Sequence, residues 1–236
     1  MAKSVIVASG GMDSITAAYQ EKAAGNELLL IGFNYGQRHK RELASLALLA
    51  GDLRADYKII DVSAILGQLA KNSLTGAEVE VPDGHYREET MRKTVVPNRN
   101  AIMISLAAAI AVEEGASRLV IGVHGGDHFI YPDCRPPFVL SMAGAVNAAT
   151  DGAVELHAPF LHLTKSDIAS LGYGLGVPYQ WTWSCYKGGD DHCGTCGTCF
   201  ERKEAFQDAG VPDPTYYLVE GFGWYDGPLK DEVRGV

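Results

Sequence analysis

The chain alternates between short apolar runs and longer segments whose apolar residues recur at helical spacing. The apolar runs predict strands at 4–8, 28–35, 57–62 and 118–123. The helical spacing predicts helices at 14–24, 38–53, 100–114, 138–150 and 165–175. Asn98 or Asn100 is a plausible cap for the third helix. Because strands alternate with helices, the pattern predicts an α/β fold with a doubly wound parallel sheet.

A polar segment at 75–94 interrupts this alternation. It is long for a connection within a compact domain, and it carries Pro82, Gly84 and charges of both signs. The sequence leaves two interpretations open for it, a lid or substrate loop and a solvated surface insertion.

The composition is that of a soluble globular protein. The chain has 236 residues, of which 47% are hydrophobic and 21% charged, so we expect one domain with at most a small appendage. The net charge of −9 offers no general attraction to nucleic acid. The apolar runs are too short for a membrane span, and the start leaves no room for a signal peptide, so we expect a cytoplasmic protein.

The most specific motif is SGGMDS, which occupies 9–14 and directly follows the first predicted strand. Its two glycines allow a tight turn, after which backbone N–H groups and the helix dipole face one point that suits a phosphate. Its two serines add hydroxyl donors. A carboxylate beside a phosphate is repulsive unless a cation bridges them, so Asp13 indicates a Mg²⁺-nucleotide. An ordinary glycine-rich turn is the alternative, which the complete motif after a strand disfavours.

This motif resembles the SGGxDS loop of the ATP pyrophosphatases, the PP-loop family, and lacks the lysine of the Walker pattern. The resemblance implies cleavage of ATP between its α and β phosphates, with transfer of AMP to a substrate oxygen. It also implies a sheet like that of the adenine nucleotide α-hydrolases, which is Rossmann-like. The residues implied in nucleotide binding are Ala8, Ser9, Gly10, Gly11, Met12, Asp13 and Ser14.

Four cysteines follow the spacing C-x7-C-x2-C-x2-C, at Cys185, Cys193, Cys196 and Cys199. Clustered cysteines in a cytosolic chain are typical of metal ligation, and four thiolates leave no open position, so we expect a structural Zn²⁺ in a small knuckle. An iron–sulfur cluster, a redox CxxC pair and replacement of one thiolate by His192 are the alternatives.

The sequence leaves the roles of three other side chains undecided. Cys134 stands apart from the cluster, and its neighbours in sequence do not indicate a reactive thiol, so we expect a buried structural residue. His124 and His128 follow the last predicted strand and therefore lie at the ligand edge of the sheet. They are proton shuttles or ordinary loop residues.

Four strings between the loop and the last cysteines complete a larger pattern. They are FNYGQRH at 33–39, VPNRN at 96–100, YPDCRPPF at 131–138 and SCY at 184–186. With the loop and the cysteines, they make the chain resemble the QueC family of 7-cyano-7-deazaguanine synthases from Val5 to about Phe206. Asn98 and Pro137 stand where the family pattern has a glycine and an acidic residue, and asparagine tolerates left-handed backbone conformations.

This resemblance implies an enzyme that converts 7-carboxy-7-deazaguanine and ammonia to 7-cyano-7-deazaguanine (preQ0) through adenylated intermediates, using ATP with Mg²⁺. It implies an ATP-binding domain at 1–180 and a zinc-binding segment at 181–236 packed on it. A homodimer is consistent with the family and with the aromatic residues at 212–217 and 222–225. We expect small-molecule substrates, with neither nucleic acid nor membrane as a direct partner.

The resemblance and the residue chemistry give candidate roles. The candidate catalytic residues are Asp13, Ser14, Arg99 and Lys165. The candidate substrate-binding residues are Phe33, Arg38, Tyr131, Asp133 and Arg135. A guanidinium fork fits carboxylate and phosphate oxygens, and an acidic side chain accepts from the ring N–H groups of a deazaguanine. Surface ion pairs are the alternative for the basic residues, and burial in the core is the alternative for the aromatic ones.

Three other functions remain open at this point. A PP-loop tRNA-thiolating enzyme is disfavoured by the negative net charge and the lack of a basic cluster. A QueC-like ligase for another carboxylate is left open by Pro137. A zinc-knuckle binding module with an inactive nucleotide loop is disfavoured by the intact Asp13 and loop serines.

Overall fold

A computed structural model describes residues 2–69, 71–76, 78–85, 91–125 and 131–219. Within these residues, five parallel strands form one sheet in the order β3-β2-β1-β4-β5. The strands are β1 (Lys3–Val7), β2 (Glu27–Asn34), β3 (Asp56–Asp61), β4 (Arg118–Ile121) and β5 (Glu155–His157). The first four confirm the predicted strands. The edge strand β5 was not predicted, because three residues are too few to show an apolar period.

Helices connect the strands and cover both faces of the sheet. They are α1 (Met12–Ala23), α2 (Arg41–Leu53), α3 (Ser63–Leu66), α4 (Arg99–Glu113), α5 (Pro136–Ala149), α6 (Lys165–Gly174) and α7 (Gly197–Ala209). The five predicted helices are confirmed to within three residues at each end. The short α3 and the polar, cysteine-containing α7 were not predicted. None of the helices in the described ranges combines the length and apolar content needed to cross a bilayer.

Successive residues of each central strand pack into two different hydrophobic cores, one on each face of the sheet. Val5 packs into the core under α4 and α5, whereas Ile6 packs into the core under α1, α2 and α6. Leu119 and Val120 of β4 divide in the same way. A sheet that is buried on both faces is the signature of a doubly wound fold, which confirms the predicted fold class.

The order of the strands fixes where a ligand binds. The chain moves from β1 outward to β2 and β3, then returns to β4 on the other side of β1. The loops after β1 and β4 therefore leave the sheet in opposite directions and open a crevice at its carboxyl edge. Gly122, directly after β4, lies against the start of α1: a Cβ there would come within 2.9 Å of the backbone N of Ser14. This contact closes the bottom of the crevice.

The predicted capping of α4 by the side chain of Asn98 or Asn100 is wrong. Asn98 is the N-cap by position, but its backbone is left-handed (φ 57°) and its side chain makes no capping hydrogen bond. Side-chain capping requires the extended conformation that Asn98 lacks. Instead, Asp133 Oδ2 accepts from the backbone N of Asn100 at 2.9 Å, and Asn100 Nδ2 donates to the carbonyl of Asp133. The left-handed turn also accounts for an asparagine where a glycine is usual.

The C-terminal segment is held onto the sheet domain by one buried cation. Arg202 of α7 donates to the carbonyl of Tyr179 at 2.9 Å and to Thr182 Oγ1 at 2.7 Å, and its Nε reaches Asp213 Oδ1 at 3.3 Å. These bonds join α7, the chain that leads into the cysteines and the tail that follows the helix. The described part of the C-terminal segment, up to residue 219, is therefore anchored beside the crevice, where Trp183, Ser184 and Thr198 line the cavity.

Candidate active site

The nucleotide motif forms a closed turn between β1 and α1. Gly10 has φ +85°, and the backbone N of Gly11 donates to Ser9 Oγ at 3.2 Å. Ser14 Oγ accepts from the backbone N of Ser9 at 3.2 Å and donates to the carbonyl of Gly11 at 3.3 Å. Gly11 is the N-cap of α1 and supplies no side-chain cap. The first amides of α1 therefore suit an anion.

Gly10 is also a point of close contact between three parts of the chain. A Cβ at this position would lie 2.2 Å from the carbonyl oxygen of Glu42 at the start of α2. The carbonyl of Gly10 accepts from the backbone N of Trp183 at 2.9 Å. Only glycine fits here, since both the space and the positive φ exclude a side chain.

A cavity of about 220 Å³ opens beside this turn. Most of the predicted site residues line it, namely Ala8, Ser9, Gly11, Met12, Asp13, Ser14, Phe33, Arg99 and Lys165. It is also lined by polar residues without a predicted role, namely Tyr35, His39, Glu42, Asn100, Ser184, Tyr186 and Thr198. The apolar part of the wall includes Met103, Ile104, Ile121 and Trp183.

Asp13 lies at the centre of a charged group at the mouth of the turn. Its Oδ2 is 3.3 Å from Lys165 Nζ and 3.8 Å from His124 Nε2. Its Oδ1 is buried and has no hydrogen-bond partner among the described residues. A buried carboxylate oxygen without a partner is costly unless a cation or water binds it, so this atom fits a metal ion.

Lys165 is held from two sides. Its Nζ lies 2.7 Å from Glu201 Oε2 on α7, in addition to its contact with Asp13. Thr164 and Asp167 form a capping box that fixes the start of α6, on which Lys165 is the first residue. Glu201 comes two residues after Cys199, so the cysteine segment helps to position this lysine. Glu201 was not predicted as a site residue, because its contact with Lys165 joins residues 36 positions apart.

A second set of polar side chains at the cavity is linked by a continuous series of contacts. Arg99 Nη1 donates to the hydroxyl oxygen of Tyr35 at 3.1 Å, and that hydroxyl lies 3.4 Å from His39 Nε2. His39 Nε2 lies 3.4 Å from Glu42 Oε2, while Glu42 Oε1 accepts from Gln37 Nε2 at 2.9 Å. Both His39 and Glu42 are buried.

Burial governs the protonation of this group. It raises the pKa of the Glu42 carboxyl from 4.5 to about 7, against the smaller lowering effects of Gln37 and Arg99. Burial, reinforced by the positive charges of Arg99 and Arg38, lowers the pKa of His39 to about 3. The histidine is therefore neutral, and the glutamate exchanges its proton near neutral pH.

Four predicted substrate-binding residues lie outside the cavity lining. Arg38 donates to the carbonyls of Gly76 and Val79, so it anchors the polar segment after α3. Asp133 caps α4, and the hydroxyl of Tyr131 contacts Thr94 Oγ1 at 2.6 Å in a small apolar cluster. Arg135 is the exposed N-cap residue of α5. Phe33 both lines the cavity and packs into the core.

The structure describes Cys134 and His124, two of the three side chains whose roles the sequence left open. Cys134 is buried and lines the cavity, where its Sγ accepts from Asn100 Nδ2 at 3.3 Å. His124 is buried beside Asp13, as the position after β4 predicted. His128 lies outside the described residues.

The other four cysteines converge on one point. Their sulfur atoms all lie within 4.8 Å of one another, with separations of 3.5 Å for Cys196–Cys199, 3.9 Å for Cys193–Cys199 and 4.0 Å for Cys185–Cys196. A tetrahedral Zn–S₄ site with bonds of about 2.3 Å has sulfur atoms about 3.8 Å apart, so the cluster could hold such an ion. The Cys193 sulfur also accepts from the backbone N of Thr195 and of Cys196, which favours a thiolate.

His192 does not belong to this cluster. Its Nε2 accepts from the backbone N of Ser184 at 3.1 Å, and its ring packs between Trp183 and Tyr217. The polar segment before α4 reaches the cluster instead: Asp83 forms an antiparallel bridge with Cys196. Residues 77 and 86–90 of that segment lie outside the described ranges, and a lid or substrate loop and a solvated surface insertion both stay interpretations of the segment.

The family model described as "Queuosine biosynthesis protein QueC" matches residues 3–210. The chain belongs to the QueC family. A curated 7-cyano-7-deazaguanine synthase from Rhizobium johnstonii is 50% identical over 222 residues, which are 93% of this chain and 94% of that protein. Another, from Paracoccus denitrificans, is 51% identical over 217 residues, 91% of this chain and 93% of that protein. An NMN synthetase structure from Francisella tularensis gives a TM-score of 0.48 at 17% identity, over 75% of this chain and 62% of that chain.

For this QueC chain we predict that stability falls with pH because of Glu42. Between about pH 4.5 and 7 the native state keeps a proton that the unfolded chain releases, so the free energy of unfolding decreases by up to about 3 kcal/mol as the pH rises. The substitution Glu42→Gln removes this dependence. Urea unfolding of both proteins at pH 5 and pH 8 measures it. A stability difference between the two proteins that is the same at both pH values would contradict the prediction.

Proposed function

We propose that this QueC chain is a 7-cyano-7-deazaguanine synthase, which converts 7-carboxy-7-deazaguanine and ammonia to preQ0 with ATP. Its similarity to curated synthases at about half identity along nine-tenths of their length supports the proposal. The single observation that carries it is the cavity in which the loop, Asp13, Lys165 and Arg99 meet. A phosphate-binding turn, a cation-binding carboxylate and a guanidinium are the groups that adenylation of a carboxylate requires.

We assign the phosphates of ATP to the turn at 8–14. The uncapped amides at the start of α1 and the two loop hydroxyls are donors for the pyrophosphate that leaves. The buried Oδ1 of Asp13 would hold Mg²⁺, which would neutralise phosphate charge when bound. Lys165, held by Glu201, supplies a second positive charge at the same point. Ser14 shapes the turn through its bond to Gly11.

We assign the substrate to the wall formed by Arg99 and Phe33. The guanidinium of Arg99 pairs with a carboxylate, and the ring of Phe33 offers an apolar face to the deazaguanine. Arg38, Tyr131 and Asp133 order the polar segment and the start of α4, which carries Arg99. Arg135, exposed at the start of α5, stays a candidate for direct contact with the substrate.

A carboxylate is a poor electrophile, so its reaction with ammonia needs activation. Transfer of AMP to a carboxylate oxygen gives an acyl-adenylate, and ammonia displaces AMP to give an amide. A second adenylation on the amide oxygen, followed by loss of AMP, gives the nitrile. The protein contributes positioning and charge stabilisation at phosphorus in both adenylations.

The four cysteines would hold a structural Zn²⁺ as the closed site of a segment at 181–236, packed on an ATP-binding domain at 1–180. The sulfur separations and the N–H donors to Cys193 support this assignment. When bound, the ion would fix the start of α7, from which Glu201 reaches Lys165.

The function is tested by one incubation of purified protein with 7-carboxy-7-deazaguanine, ammonium, Mg²⁺ and ATP, followed by mass spectrometry. We expect AMP and preQ0 together. The substitution Asp13→Asn should lower AMP formation by about 100-fold or more, because the site loses the charge that binds the metal. AMP without the nitrile would indicate another acceptor, and folded protein that forms no AMP would contradict the proposal.

Metal analysis tests the cysteine site. We expect one zinc per chain and no visible absorption from an iron–sulfur cluster. The substitution Cys196→Ser should release the zinc and destabilise the protein by several kcal/mol, because metal binding contributes to folding. Cys134→Ser is the matched control, since it removes a buried thiol outside the cluster and should leave the zinc content unchanged. Retention of the zinc by Cys196→Ser would contradict the assignment.

We also propose a homodimer in the cytoplasm. Exposed apolar side chains support it, namely Leu106 and Val112 on α4 and Leu140 on α5, the last of which is 69% exposed. Light scattering at micromolar concentration should give twice the chain mass of 25.3 kDa. The substitution Leu140→Glu should shift the protein toward the monomer, whereas a monomeric parent protein would contradict the proposal.

A further inference from the structure

The proposed reaction releases protons from nitrogen, and the two adenylations do not consume them. When ammonia attacks the acyl-adenylate, the new C–N bond forms, the C–O bond to AMP breaks, and one N–H proton must leave to give the neutral amide. When the amide oxygen is adenylated and the product then loses AMP, a C–O bond breaks and the two remaining N–H protons leave to give the nitrile. Each nitrogen step therefore needs a proton acceptor inside the cavity.

Most of the titratable groups that line the cavity are unsuited to this task. Arg99 and Lys165 are cations and have no lone pair to offer. Asp13 pairs with Lys165 and faces the phosphate turn. Burial raises the pKa of the Tyr35 phenol, so this group keeps its own proton at neutral pH and is no acceptor, and Cys134 accepts from Asn100. Among the imidazoles and carboxylates of the described lining residues, His39 and Glu42 are left.

We propose that His39 and Glu42 act together as the base that accepts the proton from the attacking nitrogen and, later, from the adenylated amide. The inference rests on the proposed function and adds residues for a step that the loop and Arg99 do not serve. The carboxylate of Glu42 is the final acceptor, and the imidazole of His39 passes the proton to it across the 3.4 Å contact between Nε2 and Oε2.

Three features of the geometry support this pair. His39 Nδ1 is buried and has no hydrogen-bond partner among the described residues, so the imidazole has one nitrogen for Glu42 and another without an assigned bond. A neutral imidazole paired through its other nitrogen to a carboxylate is the arrangement of a general base. Gln37 fixes the orientation of Glu42 through a bond of 2.9 Å to Oε1, which leaves Oε2 for the histidine.

The pair also lies between the turn that we assign to ATP and Arg99, which we assign to the substrate carboxylate. The carbonyl of Glu42 abuts Gly10 in the phosphate turn, so α2 begins beside the ATP site. On the other side, His39 joins Arg99 through the hydroxyl of Tyr35. A nitrogen attacking a carboxyl carbon that is held by Arg99 and adenylated from the turn therefore arrives beside the pair. The protonation near pH 7 described above for Glu42 matches the needs of a base at neutral pH.

The test separates adenylation from attack by nitrogen. Adenylation is measured as substrate-dependent exchange of labelled pyrophosphate into ATP without ammonium, and attack is measured as amide formation with ammonium. Hydroxylamine, which is mostly unprotonated at neutral pH, replaces ammonium in a third assay that measures the hydroxamate. Glu42→Gln and His39→Gln are compared with the parent protein, and circular dichroism checks their folding.

We expect both variants to exchange pyrophosphate within about threefold of the parent and to lose about 100-fold or more in amide formation. Hydroxamate formation should fall by less than tenfold, because this nucleophile needs less help in losing a proton. Glu21→Gln is the matched control: Glu21 is also a buried helical glutamate, bound to Ser4 and Asn26 away from the cavity, and all three rates should stay within about twofold of the parent.

Several results would overturn the proposal. Amide formation at the parent rate in either folded variant would exclude the pair as the base. Equal losses in exchange and in amide formation would assign the pair to ATP binding, and equal losses of hydroxamate and amide would show a structural role. If Glu42→Gln does not fold, His39→Gln decides the question by the same three rates. A parent protein without exchange would contradict the proposed function itself.

Discussion

The site depends on a contact between backbones at Gly10. There the phosphate turn lies against the first turn of α2 and accepts a hydrogen bond from Trp183, so three distant parts of the chain meet where no side chain fits. This packing places Glu42 beside the turn and brings the segment before the cysteines over the cavity. Close packing transmits small displacements, so a turn that moved by the width of a methyl group would move both neighbours.

Two ion pairs connect the cysteine cluster to Asp13 in the turn at 9–14. Cys199 belongs to the first turn of α7, and one further half-turn brings Glu201 to Lys165, which in turn contacts Asp13. All three side chains are partly buried, where ion pairs are screened less than at the surface. The cysteine segment therefore contributes to the cavity by orienting a lysine, although the four sulfur atoms lie outside the cavity lining.

The sequence predicted most of the fold and a little more than a third of the residues that line the cavity. The strands and helices around the crevice are long enough to show their periods, and the loop and cysteine spacings are specific. Arg38, Tyr131, Asp133 and Arg135 were chosen for their chemistry within a motif, but hydrogen bonds to Gly76, Thr94 and Asn100 direct three of them away from the lining. The sequence pattern did not indicate a site role for Glu42 or Glu201. A charged residue on a helix usually faces solvent, and only the packing shows that these two do not.

The bond between Trp183 and Gly10 has a consequence for the order in which the protein is made. Gly10 is synthesised 173 residues before its partner Trp183, and β1 is likewise synthesised long before β4, with which it pairs. A nascent chain therefore carries an incomplete turn until Trp183 has been synthesised. Contacts so distant in sequence close slowly, because the entropy of long loops must be lost before packing compensates for it. We therefore expect the turn at 9–14 to reach its final form only when the segment that leads into the cysteines has folded against it.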